Sequence, residues 1–216
     1  HTRFRNVTGV QTCALPIYHS IQYCVLPPHR RGESLMKPWV AFFSQTGSEI
    51  AGIMERTGRK PVAVVHAPRT AEFETRIHPN LQNSLYWAYR SYEKPARTHY
   101  YEILNKFGKP DELLITLNGW LYIVPGVVCE EYAMYNGHPG LITKYPDLKG
   151  KDPQKKAWLA KYPTVGTVIH KVSSEVDGGQ IILSNECSSE GCKSEVDMVN
   201  LLKDKSLDLW VQFFEV

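Results

Sequence analysis

The chain of 216 residues lacks any uninterrupted apolar run of about 18 residues, the length a membrane-spanning helix needs, and its mean hydropathy is −0.32. It also lacks the charged start, continuous apolar stretch and small-residue cleavage site of a secretory signal. No membrane partner is expected. Its five cysteines, Cys13, Cys24, Cys129, Cys187 and Cys192, are odd in number and include no C-x-x-C pair. That excludes a simple disulfide framework, offers no zinc spacing and fits a reducing cytoplasm. Net charge is small as well. The formal +3 arises from residues 1–35, where Arg3, Arg5, Arg30 and Arg31 oppose Glu33 alone; the remainder holds 21 basic and 21 acidic residues. Nothing in that balance asks for a phosphate backbone, so nucleic acid is not an expected partner. With 43% hydrophobic and 11% aromatic residues the chain can bury the core of one domain, or at most two small ones.

Residues 1–35 differ from the rest. They show no amphipathic period, and Val7 to Ile17 (VTGVQTCALPI) resembles the translation of a common sequencing-adaptor oligonucleotide. The expectation is a non-native or disordered leader, with the natural start at Met36 and one domain over 36–216. Asn6-Val7-Thr8 formally matches a glycosylation acceptor, a three-residue pattern too frequent by chance to carry weight.

From Met36 strands and helices alternate. Pro38 to Phe43 reads as a buried strand, Glu49 to Thr57 as a helix closed by Gly58, and Pro61 to His66 as a second strand, completing a right-handed parallel crossover. Leu81 to Tyr92 is rich in Tyr and Trp and has no clear period. Its aromatics suit core or rim packing better than base stacking, because Arg90, Lys94 and Arg97 are the only cations nearby. His99 to Phe107 reads as a helix stopped by Gly108 and Pro110, and Leu113 to Leu117 as a third strand. Val165 to Lys171 and the residues from Ile181 extend the set, and Val196 to Phe214 has a helical pattern. The loop around Glu186, Cys187, Glu190 and Cys192 reads as solvated surface without metal-ligand spacing. Strands separated by helices predict an α/β domain built on a mostly parallel sheet with helices on both faces.

Ligands bind beyond the carboxyl ends of such strands, so Ser44 to Glu49 and Asn118 to Pro125 are the expected rims of a site. Downstream, Asn136 and His138 stand two residues apart ahead of Pro139, on one side of the chain if it is extended. Asp177 lies in a glycine-rich loop before another strand. Alone, an Asn before His-Pro more often serves a turn. Chemically, an amide and an imidazole can both donate to a developing oxyanion, and a carboxylate can orient the imidazole and act as a base. Cys129 has no base beside it in sequence and does not read as a nucleophile.

The ordered segments LITLNGWLYIVP, YNGHPGLI and TVIHKVSSEVDGGQII resemble the folate-dependent formyltransferases, and most closely the glycinamide ribonucleotide formyltransferases, over Met36 to about Ile182. The resemblance implies a Rossmann-like formyltransferase fold and formyl-tetrahydrofolate as cosubstrate, with no metal. It implies Asn136, His138 and Asp177 as the catalytic group, and His170 as a supporting histidine that could equally be a hydrogen-bonded core residue. Trp120, Leu121, Tyr122, Ile123 and Val124 fall on the family's pterin-binding segment, and Gly178 beside it, with core packing and turn formation as the plainer alternatives. Gly47, Ser48 and Glu49 fall on the loop that cradles an acceptor phosphate. The sequence departs from the pattern in four places. Gly140 replaces a serine, Ile142-Thr143 replaces a leucine-proline, Lys149 to Lys156 forms an enlarged polar loop, and Glu49 replaces an asparagine, so that its carboxylate would occupy or repel an anion at the helix N-terminus.

The sequence therefore predicts transfer of a formyl group from formyl-tetrahydrofolate to the primary amine of a small acceptor, glycinamide ribonucleotide being one candidate, by a cytoplasmic monomer or homodimer. The expected partners are that amine and the folate. The competing readings are a catalytically silent folate- or nucleotide-binding protein on the same fold, and a formyl-tetrahydrofolate hydrolase. The chain leaves no length for the second domain of formyltransferases acting on initiator tRNA, which disfavours that acceptor.

Overall fold

Every residue of Trp39–Phe43 (β1) is buried, its side chains alternating between two apolar clusters on opposite faces of a sheet. A strand covered on both sides has no polar face to offer water, which is why it reads as an unbroken apolar run. The computed structural model describes residues 37–72, 76–82, 86–88 and 94–215. The expected leader 1–35 and residues 83–85 and 89–92 of the aromatic segment lie outside them.

After β1 come α1 (Ser48–Thr57), β2 (Ala63–His66), the single turn α2 (Pro79–Gln82), β3 (Tyr86–Ala88), α3 (Arg97–Leu104) and β4 (Leu114–Leu117). Then follow α4 (Gly126–Glu131), β5 (Met134–His138), a 3-10 turn at Pro146–Leu148, α5 (Pro153–Leu159), β6 (Thr164–Lys171), β7 (Ile181–Ser188) and α6 (Glu195–Glu215). The seven strands lie in the order β3-β2-β1-β4-β5-β6-β7. The first five run parallel, and β6 and β7 are antiparallel to their neighbours. This is the expected mostly parallel α/β sheet. Tyr100, Ile103 and Val128 of α3 and α4 cover one face, while Ile50, Ile53, Leu209 and Trp210 of α1 and α6 cover the other.

Three local expectations need correction. The helix expected to reach Phe107 ends at Leu104, because Lys106 to Gly108 tighten into a turn whose N–H groups bond to Ile103 and Leu104 carbonyls. The enlarged polar loop 149–156 is in part helical, since Pro153 opens α5 at a position where its missing N–H costs no hydrogen bond. Glu186 and Cys187 belong to β7, paired with Gly166 and Val165, rather than to a solvated loop. The short apolar stretch Ile181 to Leu183 continues as an edge strand with one half-buried and one exposed face, a polar alternation easily mistaken for loop.

The strand order reverses between β1 and β4. The chain leaves β1 outward to β2 and β3 and returns on the other side to β4, leaving a crevice at their carboxyl ends. Both expected rims meet there. Ser44 N donates to Gly119 O at 3.1 Å, and Leu121 N donates to Ser44 Oγ at 3.1 Å.

Candidate functional site

Asn136 and His138 lie in β5 itself, so their side chains share one face, as the period of an extended chain requires. Between them Gly137 presents its bare Cα to the other face, where a Cβ would stand 2.6 Å from Trp210 Nε1. Only glycine lets α6 approach so closely. Across the antiparallel pair, Asn136 is in register with His170 of β6, and Asn136 Nδ2 lies 3.1 Å from His170 Nε2.

Asp177 returns to this pair from the β6–β7 loop, in the left-handed region at φ 49°. Its two oxygens face different rings: Oδ2 is 3.3 Å from His138 Nδ1, and Oδ1 is 3.3 Å from His170 Nε2. Gly150 N donates to Oδ2 at 2.8 Å. The loop reaches back because Gly179 runs against the carbonyl of Lys171, with no space for a Cβ, whereas at Gly178 a Cβ would first meet the flexible Glu175 side chain. His138 and His170 are 5% and 2% exposed, which sets their chemistry apart from surface imidazoles. Burial pulls the His138 pKa below its ordinary value, against the opposing influence of Asp177 and the Leu148 carbonyl. Burial raises Asp177, but the hydrogen bond from His170, the charge of His138 and the Gly150 N–H outweigh it and hold the carboxyl below its usual range.

The remaining sequence-predicted residues separate into two sets. Trp120 and Val124 are buried in the core, Trp120 edge-on to Phe42 at 5.2 Å and donating from Nε1 to Tyr100 Oη at 3.2 Å. Leu121 and Ile123 are exposed, and Tyr122 donates from its hydroxyl to Pro68 O at 3.1 Å. A cavity of about 280 Å³ is lined by Gly126, Cys129, Lys171, Val172, Ser174 and Gly179, with neither histidine and none of Trp120 to Val124 in its wall.

Gly47, at φ 72°, caps α1, and Ser48 N bonds to Thr46 Oγ1 at 3.4 Å. Glu49 does not behave as its position in the sequence suggests. Both of its oxygens turn into the fold, Oε2 accepting from Asn118 Nδ2 at 2.9 Å and Oε1 from Ser206 Oγ at 2.5 Å. It does not itself occupy an anion position over the helix N-terminus. The Trp210 indole N–H faces the same carboxylate without closing a hydrogen bond. Behind Asn118 the chain of bonds continues through Thr116 Oγ1, at 2.7 Å from Asn118 Oδ1, to Trp39 Nε1, also at 2.7 Å.

Two contributors carry no sequence signal, because they are main-chain atoms: Gly150 N on Asp177, and Leu148 O, 2.9 Å from His138 Nε2. Nothing about a leucine or a glycine side chain could announce them. Among the described residues no group of three or more His, Cys, Asp or Glu side chains is arranged to hold a metal ion, and no helix is long and apolar enough to cross a membrane.

Residues 40–212 match the family model described as formyl transferase. A phosphoribosylglycinamide formyltransferase of Dictyostelium discoideum is 31% identical over 93 residues, a match covering 39% of this chain and 44% of that relative. The matched stretch thus spans less than half of that relative. Among solved structures, the phosphoribosylglycinamide formyltransferase of Streptococcus pneumoniae superposes with a TM-score of 0.67 at 22% identity, over 82% of this chain and 96% of its own. A formyltetrahydrofolate deformylase of Pseudomonas syringae superposes with a TM-score of 0.65 at 19% identity, over 82% of this chain and 60% of its own. At such identities the two structures speak for the fold.

Proposed function

The chain belongs to the formyl transferase family, and on that premise we propose that it transfers a formyl group from formyl-tetrahydrofolate to the primary amine of a small acceptor. The observation that carries this reading is the group Asn136, His138, His170 and Asp177, in which one carboxylate spans two buried imidazoles and an amide stands beside them. Glycinamide ribonucleotide is the first acceptor to test, because the curated relative and the Streptococcus structure bear the name phosphoribosylglycinamide formyltransferase.

In the reaction the acceptor nitrogen attacks the formyl carbon, the carbonyl electrons move to oxygen, and the new C–N bond forms while the nitrogen gains positive charge. Asn136 and His138 supply hydrogen-bond donors to that oxygen, and a single preorganised donor of this kind contributes about 3–4 kcal/mol. Asp177, ionised and fixed by its contacts, takes the proton from the nitrogen directly or through water. Collapse of the intermediate breaks the carrier C–N bond and returns a proton to the departing folate nitrogen. No covalent enzyme intermediate is needed. The cavity lined by Gly126, Cys129 and Gly179 is the slot we assign to the folate ring.

We assign this activity to residues 36–216, treat 1–35 as a dispensable leader, and locate the protein in the cytoplasm, where free Cys129, Cys187 and Cys192 remain reduced. The test is release of tetrahydrofolate, followed by absorbance, across a panel of amines with and without a ribose phosphate. Amine-dependent release supports transfer. Release with no amine present identifies the hydrolase, and binding of folate without release identifies the silent binder.

A further inference from the structure

Segment 147–150 crosses the His138–Asp177 pair and touches both members through its main chain. Leu148 O accepts from His138 Nε2 at 2.9 Å, and Gly150 N donates to Asp177 Oδ2 at 2.8 Å. Two anchors hold it there. The Leu148 side chain is buried among Ile142, Ala157, Val165 and Val168. The Lys156 ammonium, from α5, donates to Asp147 O at 3.0 Å and to Lys149 O at 2.9 Å, drawing together the carbonyls on either side of Leu148. Gly140 makes room for this arrangement. A Cβ there would stand 2.8 Å from His138 Nε2 and 2.9 Å from Pro153 Cβ, so a larger residue would displace the ring or α5.

The two contacts on His138 compete. Asp177 favours a proton on Nδ1 and the Leu148 carbonyl favours one on Nε2, and a neutral imidazole carries only one. We propose that Lys156 is a positioning residue for the formyl transfer assigned above, acting through the 147–150 main chain to hold the His138 proton at Nε2. This rests on that functional reading. The N–H held at Nε2 is the donor that a developing oxyanion takes over from the Leu148 carbonyl. Without the ammonium the two carbonyls repel, Leu148 O leaves the ring, and Asp177 draws the proton to Nδ1. The geometry before attack is then wrong although every catalytic side chain is present.

The test uses Lys156→Met, which keeps the aliphatic stem and removes the charge, with Lys156→Arg as the conservative variant. Long-range proton–nitrogen correlation spectra of His138 read the tautomer of the neutral ring without substrate. In the wild type the proton is expected on Nε2, and in Lys156→Met on Nδ1. Turnover is expected to fall about tenfold, the scale of a partial loss of one oxyanion donor, with the folate KM within about twofold. Lys156→Arg should restore the tautomer and most of the rate, and Lys155→Met, the exposed neighbour on the same helix, should leave both unchanged. If Lys156→Met does not fold, Lys156→Gln, uncharged and one bond shorter, should show the same changes in smaller measure. Wild-type tautomer or wild-type turnover in the folded variant overturns the proposal, as does a lost rate with an unmoved tautomer. A wild type that releases tetrahydrofolate with no amine in the panel, while the tautomer still shifts in Lys156→Met, overturns the functional reading and leaves the His138 contact standing.

Discussion

Glu49 and Asp177 are both half-buried carboxylates near the carboxyl ends of the central strands, on opposite faces of the sheet, and burial prevails at one and fails at the other. At Glu49 desolvation wins: the donors Ser206 and Asn118 and the nearby Trp210 indole are all neutral, and together they do not offset the loss of water, so the carboxyl pKa is raised. At Asp177 desolvation is also the largest single influence, yet two imidazoles and a backbone N–H overcome it and the carboxyl stays ionised. What separates a tie between helices from a candidate catalytic base is therefore whether the partners can carry charge. Glu49 links α1, the end of β4 and α6, whereas Asp177 links two rings whose protons can move.

The sharpest way to break this contrast is to neutralise Asp177. Asp177→Asn keeps the shape and should lower turnover at least about a hundredfold, as should His138→Ala, with folate affinity by calorimetry nearly intact, because both groups act on charge that develops during attack. Rates near wild type in either variant would end the assignment. Glu49→Ala should instead read out in stability. It strands the Asn118 amide and the Ser206 hydroxyl, a cost of about 1–3 kcal/mol, or roughly 3–9 °C in melting temperature for a domain of this size. An unchanged melting temperature would show that the Glu49 network holds nothing together.

A smaller effect concerns pH. The folded-state pKa of His138 lies below the ordinary imidazole value, so on acidification the unfolded chain takes up this proton first. The stability lent by His138 is complete above the ordinary imidazole range and is lost as pH falls through it toward the lowered folded-state value. Asp177, also lowered, contributes above the ordinary carboxyl range and loses its contribution only at more acid pH. Melting curves of the wild type and His138→Gln between about pH 7 and 5 should therefore converge as pH falls, and a constant offset between them would contradict the sign. Smaller again, Glu49→Asn should leave the KM for a phosphorylated acceptor within about twofold, because the carboxylate already points at Asn118 and Ser206 and the charge removed acts through distance and partial screening. A large gain in affinity would show that it governs the α1 N-terminus after all. The least effect is expected from deleting residues 1–35, which should leave melting temperature and activity unchanged.

Much of the architecture is legible in the residues. Trp39–Phe43, Ala63–His66 and Leu114–Leu117 are apolar but for His66 and Thr116 because both faces are covered, and that pattern leads to parallel strands and a crevice at their carboxyl ends. The edge strand β7 is less legible, since one of its faces meets water and its alternating polar residues resemble a loop. In the site, Asn136, His138 and Asp177 are visible because chemistry needs their side chains. Trp120 and Val124 illustrate the opposite case, their apolar side chains fitting a ligand wall and a core equally well until the core is seen to contain them.

The sequence by itself determined the strand and helix alternation, the spacing of the amide, imidazole and carboxylate, and the absence of any apolar run of about 18 residues, all properties of side-chain type and periodicity along the chain. Only the tertiary structure decided which partners each carboxylate meets. Asn118 and Ser206 stand 69 and 157 positions from Glu49, and Gly150 stands 27 from Asp177. The physical reason is that a pKa, a tautomer or an anion site depends on distance and solvent exposure in space. The Leu148 carbonyl, the Gly150 N–H and the Lys156 ammonium acquire their meaning only once folding brings them against His138 and Asp177.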